Sequence, residues 1–128
     1  MGDAHWKEEP DEHDYPAAAS YLALIADPGT AHVLVEALRD APIEHAKAKD
    51  ILRASGLPHL PADNVHVARD LAKVRSGKAL SPVLLVRGDI ARGIPLQIAD
   101  GYHRVCASYH LDEDADIPCR IAEHPATR

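Results

Sequence analysis

The stretch Asp100-Gly101-Tyr102-His103-Arg104 decides the fold that we expect for this chain. It follows an apolar run, Ile94 to Ala99, and precedes a segment with helical spacing, Val105 to Leu111, so we predict a strand, a glycine turn and a helix. Glycine lets the backbone turn sharply and approach a ligand closely. The first amides of a helix have no intrahelical acceptors, and with the helix dipole they favour an anion. The stretch therefore predicts a phosphate site.

Two side chains of this stretch add to the prediction. His103 and Arg104 place donors beside the helix N-terminus, and arginine suits forked contacts with phosphate oxygens. The alternative is an ordinary turn followed by a solvated first turn of a helix. A strand, a glycine and a helix are a weak signal by themselves, so the surrounding segments matter.

The segments before and after this stretch complete a small α/β pattern. Upstream, Asp63 or Asn64 can cap a helix with an apolar stripe at Val67, Leu71 and Val74, whose charged residues, among them Arg69, Asp70 and Lys73, we expect to face solvent. The run from Val83 to Val86 is apolar on both sides and predicts an interior strand. Residues 117 to 121 predict the closing strand.

Residues 43 to 49 alternate imperfectly and predict a short strand. His45, Lys47 and Lys49 would then share one face of the sheet. This row can reach an anion, or it can be an exposed edge protected by lysines.

Residues 15 to 42 predict a helical hairpin in front of this core. Apolar residues recur at helical spacing on both sides of the sequence Asp27-Pro28-Gly29. Such a hairpin packs on the core, and it can also form a homodimer face or a lid. We therefore expect a single domain over residues 15 to 128, with the hairpin at 15 to 42 and the core at 43 to 122.

Residues 1 to 14 read as an acidic, flexible leader with Trp6 as its only anchor. They carry six acidic residues against one lysine, in a chain whose formal net charge is −6. No basic stripe follows, so duplex nucleic acid is not an expected partner. Cys106 and Cys119 fit no metal or redox spacing, and the sequence shows neither a signal peptide nor a membrane-length run. We expect a reduced cytoplasmic protein with no membrane partner.

The order of these elements resembles the ParB/sulfiredoxin-like superfamily over roughly residues 43 to 122. ParB-type domains have a segment similar to G-x-L-Q-P, which Gly77, Leu80, Ser81 and Pro82 match with one extra residue and with serine in place of glutamine. Their second box, G-E-R-R, is G-C-H-R in sulfiredoxin and Gly101-Tyr102-His103-Arg104 here. In both branches this box binds nucleotide phosphates.

The departures from these families narrow the function that the resemblance implies. The catalytic cysteine of sulfiredoxin falls at Tyr102, so sulfinic-acid repair is not expected. No helix-turn-helix follows the core, so we expect a stand-alone ParB N-terminal-like domain rather than a partitioning protein. A related branch phosphorylates free serine and carries D-G-H-H-R at this box, which Asp100 to Arg104 matches except at one residue.

The resemblance therefore implies nucleotide or phosphate binding, with nucleotide hydrolysis or phosphotransfer to a small molecule as the reaction. ATP or CTP with Mg²⁺ would be the cofactor, held by the amides of residues 102 to 104, by Arg104, and by Lys78 and Ser81. Asp100 would hold the ion or act as a base, or would only cap the helix. The alternative is a non-catalytic anion or nucleotide sensor that contacts another protein. A metal-dependent nuclease fits less well, because the sequence shows no clustered carboxylates.

Overall fold

The computed structural model describes residues 4–124 of the 128-residue chain. In chain order the elements are β1 (His5–Trp6), α1 (Asp14–Leu22), α2 (Pro28–Asp40), β2 (Glu44–Lys47), α3 (Ala48–Ser55), α4 (Val65–Arg75), β3 (Ala79–Leu80), β4 (Val83–Val86), a 3₁₀ turn (Ile90–Arg92), β5 (Gln97–Asp100), α5 (Tyr102–Leu111) and β6 (Asp116–Ala122). The predicted mixed α/β class, with a small mixed sheet, packed helices and an N-terminal helical hairpin, is confirmed.

The main sheet has four strands in the order β2-β6-β4-β5. Strands β4 and β6 run parallel, whereas β2 pairs with β6 and β5 pairs with β4 in antiparallel fashion. The two short strands β1 and β3 form a separate parallel pair, with His5 opposite Ala79 and Trp6 opposite Leu80. Among residues 4–124, no helix is both long and apolar enough to cross a membrane.

Helices cover the main sheet on both faces, and the central strand β4 shows why. Its side chains alternate between two buried clusters, because successive residues of a strand point to opposite faces. Val83 and Leu85 join the cluster built with α3, α4 and α5, and Leu84 and Val86 join the cluster built with α1 and α2. All four residues are buried, as predicted for a run that is apolar on both sides.

Two sequence-based expectations about these elements need correction. The strand expected over residues 43 to 49 ends at Lys47, and Lys49 lies in α3. The expected basic row therefore does not form, and Lys47 and Lys49 instead both lie beside the Asp114 carboxylate. Trp6 packs against the core as expected but is not the only anchor of its segment, since the Lys7 amide donates to the Leu80 carbonyl at 2.8 Å.

The predicted phosphate turn lies between strand β5 and helix α5, and the packing of these two elements fixes its position. Strand β5 lies at the edge of the sheet beside β4, and α5 packs against α3 and α4 on the opposite side from the helical hairpin. Cys106 on α5 and Cys119 on β6 are both buried free thiols. The turn therefore opens at the end of β5, next to β3 and the first turn of α1.

Candidate functional site

Gly101 shapes the turn between β5 and α5, and its backbone requires glycine. Its φ is +108°, a conformation that other L-residues adopt only with strain. A Cβ at this position would lie 2.5 Å from Val83 Cγ1 and 2.7 Å from Arg104 Nη2. The absence of a side chain therefore lets the Arg104 guanidinium approach the backbone closely.

The N-terminus of α5 opens into a cleft without a side-chain cap. Among residues 4–124, no side chain accepts a hydrogen bond from the first turn of this helix, so Asp100 does not serve as the cap that was one of its expected roles. The first amide that bonds back is that of Val105, at 3.0 Å from the Gly101 carbonyl oxygen. The amides of residues 102 to 104 precede it, and such amides carry the positive end of the helix dipole.

The cleft has a volume of about 640 Å³, which is within the range of small-molecule sites. Among the described residues, its lining contains five basic and four acidic side chains, together with two histidines, in a chain with a formal net charge of −6. The basic residues are Lys7, Arg69, Lys73, Lys78 and Arg104, and the acidic residues are Asp11, Asp14, Asp70 and Asp100. The cleft is thus a basic concavity on an acidic protein.

Arg104 lies between two carboxylates in this cleft. Its Nη2 is 2.8 Å from Asp100 Oδ2, one helical turn away, and its Nη1 is 3.4 Å from Asp14 Oδ2. The Arg104 side chain is only 13% exposed. Burial raises the pKa of Asp100, the neighbouring Asp14 charge acts in the same direction, and Arg104 opposes both effects.

Ser81 connects this charged group to the N-terminal segment, by which we mean residues 4–14. The Ser81 hydroxyl donates to Asp14 Oδ2, and it accepts the Asp11 amide at 3.0 Å. Asp14 is 4% exposed and is the first residue of α1. The N-terminal segment therefore forms one wall of the cleft through buried polar contacts.

Helix α4 forms the opposite wall. Asp70 on this helix is 8% exposed, and burial raises the pKa of its carboxyl. Burial also lowers the pKa of His103, whose ring lies 4.6 Å from that of His66. Within residues 4–124, Arg69, Lys73 and Lys78 form no ion pair, so three cations around the cleft are not neutralised by a direct partner.

The structure brings six of the seven sequence-predicted site residues to the cleft: Lys78, Ser81, Asp100, Gly101, His103 and Arg104. The exception is the side chain of Tyr102. Its ring packs against the core and its hydroxyl donates to the Pro58 carbonyl, so only its backbone can take part.

Residues on both walls of the cleft were not predicted from the sequence. The charges of α4 were expected to face solvent, although Asp70 falls in the same stripe as Val67, Leu71 and Val74, and a charge inside an apolar stripe was an available signal. Lys7, Asp11, His13 and Asp14 were assigned to a leader outside the domain, and nothing near them in sequence indicates Arg104 as a partner.

The expectation that carboxylates do not cluster is wrong. Four of them line the cleft, and ligand atoms of Asp11, His13 and Asp14 lie within 4.8 Å of one another. Cations of the protein already pair with three of the four, however, since among residues 4–124 only Asp70 forms no ion pair. Asp11 Oδ1 is 2.7 Å from Lys7 Nζ, and Asp14 contacts Arg104. The cluster is therefore an internal ion-pair network.

Comparisons with models of protein families, with curated proteins and with solved structures gave no match for this chain. The geometry of the cleft is therefore the basis for assigning a function.

Proposed function

We propose that the cleft binds a phosphate-bearing small molecule, with a nucleotide as the expected class. One observation carries the proposal: three cations without ion-pair partners among the described residues, Arg69, Lys73 and Lys78, line the same cleft as the uncapped N-terminus of α5. Free cations and helix amides are the two kinds of group that proteins use to hold phosphate oxygens. The volume of about 640 Å³ leaves room for more than a single phosphate.

The phosphates would lie between α4 and the first turn of α5. Lys73 and Lys78 would neutralise their charge, and the amides of residues 102 to 104 would bind the oxygens. Gly101 keeps the turn before these amides free of a side chain, and His103 lines the same cleft. This arrangement follows the ParB/sulfiredoxin-like resemblance but gives α4 a role that the resemblance did not indicate.

The proposed nucleotide is ATP or CTP, with Mg²⁺ carried on its phosphates. Magnesium usually enters such sites bound to substrate phosphates and to one or two carboxylates. Asp14 and Asp100 offer oxygen ligands of this type, but both contact Arg104. We therefore assign no reaction step to the Mg²⁺ ion.

The expected cytoplasmic location agrees with a nucleotide ligand and with the two free thiols.

Calorimetric titration with ATP, CTP, GTP and ADP, each with Mg²⁺, tests the proposal. The decisive variant is the double substitution Lys73→Gln/Lys78→Gln, which we expect to weaken binding at least about tenfold, since each charged contact contributes about 1.5 kcal/mol or more. Arg75→Gln is the matched control, because Arg75 is an exposed cation on α4 that does not line the cleft. Equal losses in the control and the double variant would contradict the proposal.

The second candidate function is that of an anion or nucleotide sensor, which binds the same ligand without catalysing a reaction. The favouring observation is that Asp100, the base expected from the sequence, is bound to Arg104. Asp70 is the other candidate base, since it is buried in the same cleft with a raised pKa. Release of inorganic phosphate from the nucleotide that binds, in wild type and in Asp70→Asn, separates the enzyme from the sensor.

A further inference from the structure

Arg104 is the most buried cation of the cleft and is already occupied by carboxylates. Its two terminal nitrogens face Asp14 and Asp100, at 3.4 and 2.8 Å respectively. A carboxylate presents to arginine the same pair of acceptor oxygens that a phosphate presents. The two carboxylates already offset the Arg104 charge, so an anionic ligand that bonds to Arg104 competes with them for the guanidinium.

The two carboxylates are held differently. Asp100 is the last residue of β5 and lies one helical turn before Arg104, so the sheet and α5 fix the shorter contact. Asp14 makes the longer contact and is the first residue of α1, a position where helices fray. The segment before it is attached by the packing of Trp6, by the Ser81 contact and by the two-residue pairing of β1 with β3, and a pairing this short has little stability of its own.

We propose that Asp14 competes with the phosphate ligand for Arg104, so that the N-terminal segment regulates access to the cleft. This inference rests on the proposed function and adds a regulatory element to the same site. In the closed state Asp14 binds Arg104 and Ser81, and Ser81 holds the Asp11 amide. In the ligand-bound state Asp14 leaves Arg104, and the contacts of the segment with Ser81 weaken with it.

Binding of inorganic pyrophosphate, measured by calorimetry, tests the competition. Asp14→Asn keeps the size of the side chain and an oxygen that can accept from Ser81, but it removes the charge that binds Arg104. We expect affinity to rise about tenfold, within the usual range for coupling between two binding events. The gain should disappear in Asp14→Asn/Arg104→Gln, because the liberated guanidinium is then absent.

Asp11→Asn is the matched control for loss of one negative charge in the cleft. Asp11 lies on the same segment and pairs with Lys7 instead of contacting Arg104 directly. A gain in this control equal to that of Asp14→Asn would overturn the competition, since general repulsion would then explain both.

Hydrogen exchange of the wild-type protein tests the same inference without a substitution. The amides of Lys7 and Asp11 donate to the Leu80 carbonyl and to Ser81 Oγ, at 2.8 and 3.0 Å. With pyrophosphate bound, we expect both amides to exchange faster, because the segment is released. Slower or unchanged exchange in a complex that is shown to form would overturn the inference.

The outcomes separate this inference from the proposed function. If no protein, variants included, binds pyrophosphate or any of the nucleotides, the proposed function fails and the competition fails with it. If the wild type binds and Asp14→Asn binds no better than Asp11→Asn, only the competition fails. If Asp14→Asn alone binds, both proposals are supported.

Discussion

The turn at residues 100–104 and the N-terminal segment meet at the same cleft, but the sequence indicates the position of only the first. The turn is built from neighbours: Asp100 and Arg104 pair across one helical turn. The segment reaches the cleft through contacts that span 67 residues to Ser81 and 90 residues to Arg104. Local spacing is visible in a sequence, whereas partners this distant depend on the complete fold.

The largest expected effect is on the local side of this comparison, at Gly101. In Gly101→Ala the new Cβ would meet Val83 and Arg104, and the φ of +108° would add strain. We expect the free energy of unfolding to fall by about 3 kcal/mol, from left-handed strain and overpacking together. Denaturant unfolding monitored by circular dichroism measures the loss.

Gly77→Ala is the control for this prediction. Gly77 also has a positive φ, +77°, but a Cβ at this position would have no neighbouring atom within 4 Å. Its substitution should cost only about 1 kcal/mol, because backbone strain acts alone. Equal losses at the two positions would show that the approach of Arg104 to the turn does not require glycine.

The predictions from sequence were correct where the contacts are local and incorrect where the partners are distant in the chain. The run from Val83 to Val86 was recognisable as an interior strand because all four residues are apolar. The glycine turn was recognisable because the residues next to it in sequence form it. Asp70 was missed because a charge on a helix is normally solvated, and only its place in the apolar stripe indicated otherwise. Asp14 gave no signal, since its partners are distant in the chain.

Ser81→Ala tests how much the distant contacts contribute. The substitution leaves the Asp11 amide and the buried Asp14 carboxylate without the hydroxyl that joins them. We expect the free energy of unfolding to fall by about 1.5 kcal/mol. Ser76→Ala is the control: Ser76 is exposed at the end of α4, its hydroxyl donates only to carbonyls of its own helix, and its loss should cost about 0.5 kcal/mol or less. Equal effects would mean that the N-terminal segment is not held through Ser81.

Asp70→Asn should stabilise the protein at neutral pH by about 1 kcal/mol, because it removes a buried charge without a direct ion-pair partner among residues 4–124. Burial raises the pKa of Asp70 above its ordinary value of 3.8, so ionisation of this group opposes folding. The advantage of the variant should thus be absent well below pH 3.8, where the carboxyl is protonated in both states, should grow as the pH rises from 3.8 to the folded-state pKa, and should stay constant above it.

The measurement for Asp70→Asn is the free energy of unfolding across the acidic range, with Asp63→Asn as the control. Asp63 is an exposed carboxylate just before α4, so its substitution should leave the stability curve nearly unchanged. If Asp70→Asn instead destabilised the protein at neutral pH, the ionised Asp70 carboxylate would be making a favourable interaction with a neighbouring group. The charge of Asp70 would then stabilise the fold.

The smallest effect is expected at Lys7, whose ammonium lies 2.7 Å from Asp11 with 45% of its side chain exposed. Lys7→Gln should lower the free energy of unfolding by about 0.3 kcal/mol, because solvent weakens an exposed pair of this kind. Lys49→Gln is a matched control, since Lys49 pairs with Asp114 at the same distance and with 41% of its side chain exposed. If Lys7→Gln cost as much as Ser81→Ala, the surface pair would be the anchor of the N-terminal segment. A loss equal to that of the control instead leaves the anchoring to the buried contacts of Ser81 and Asp14.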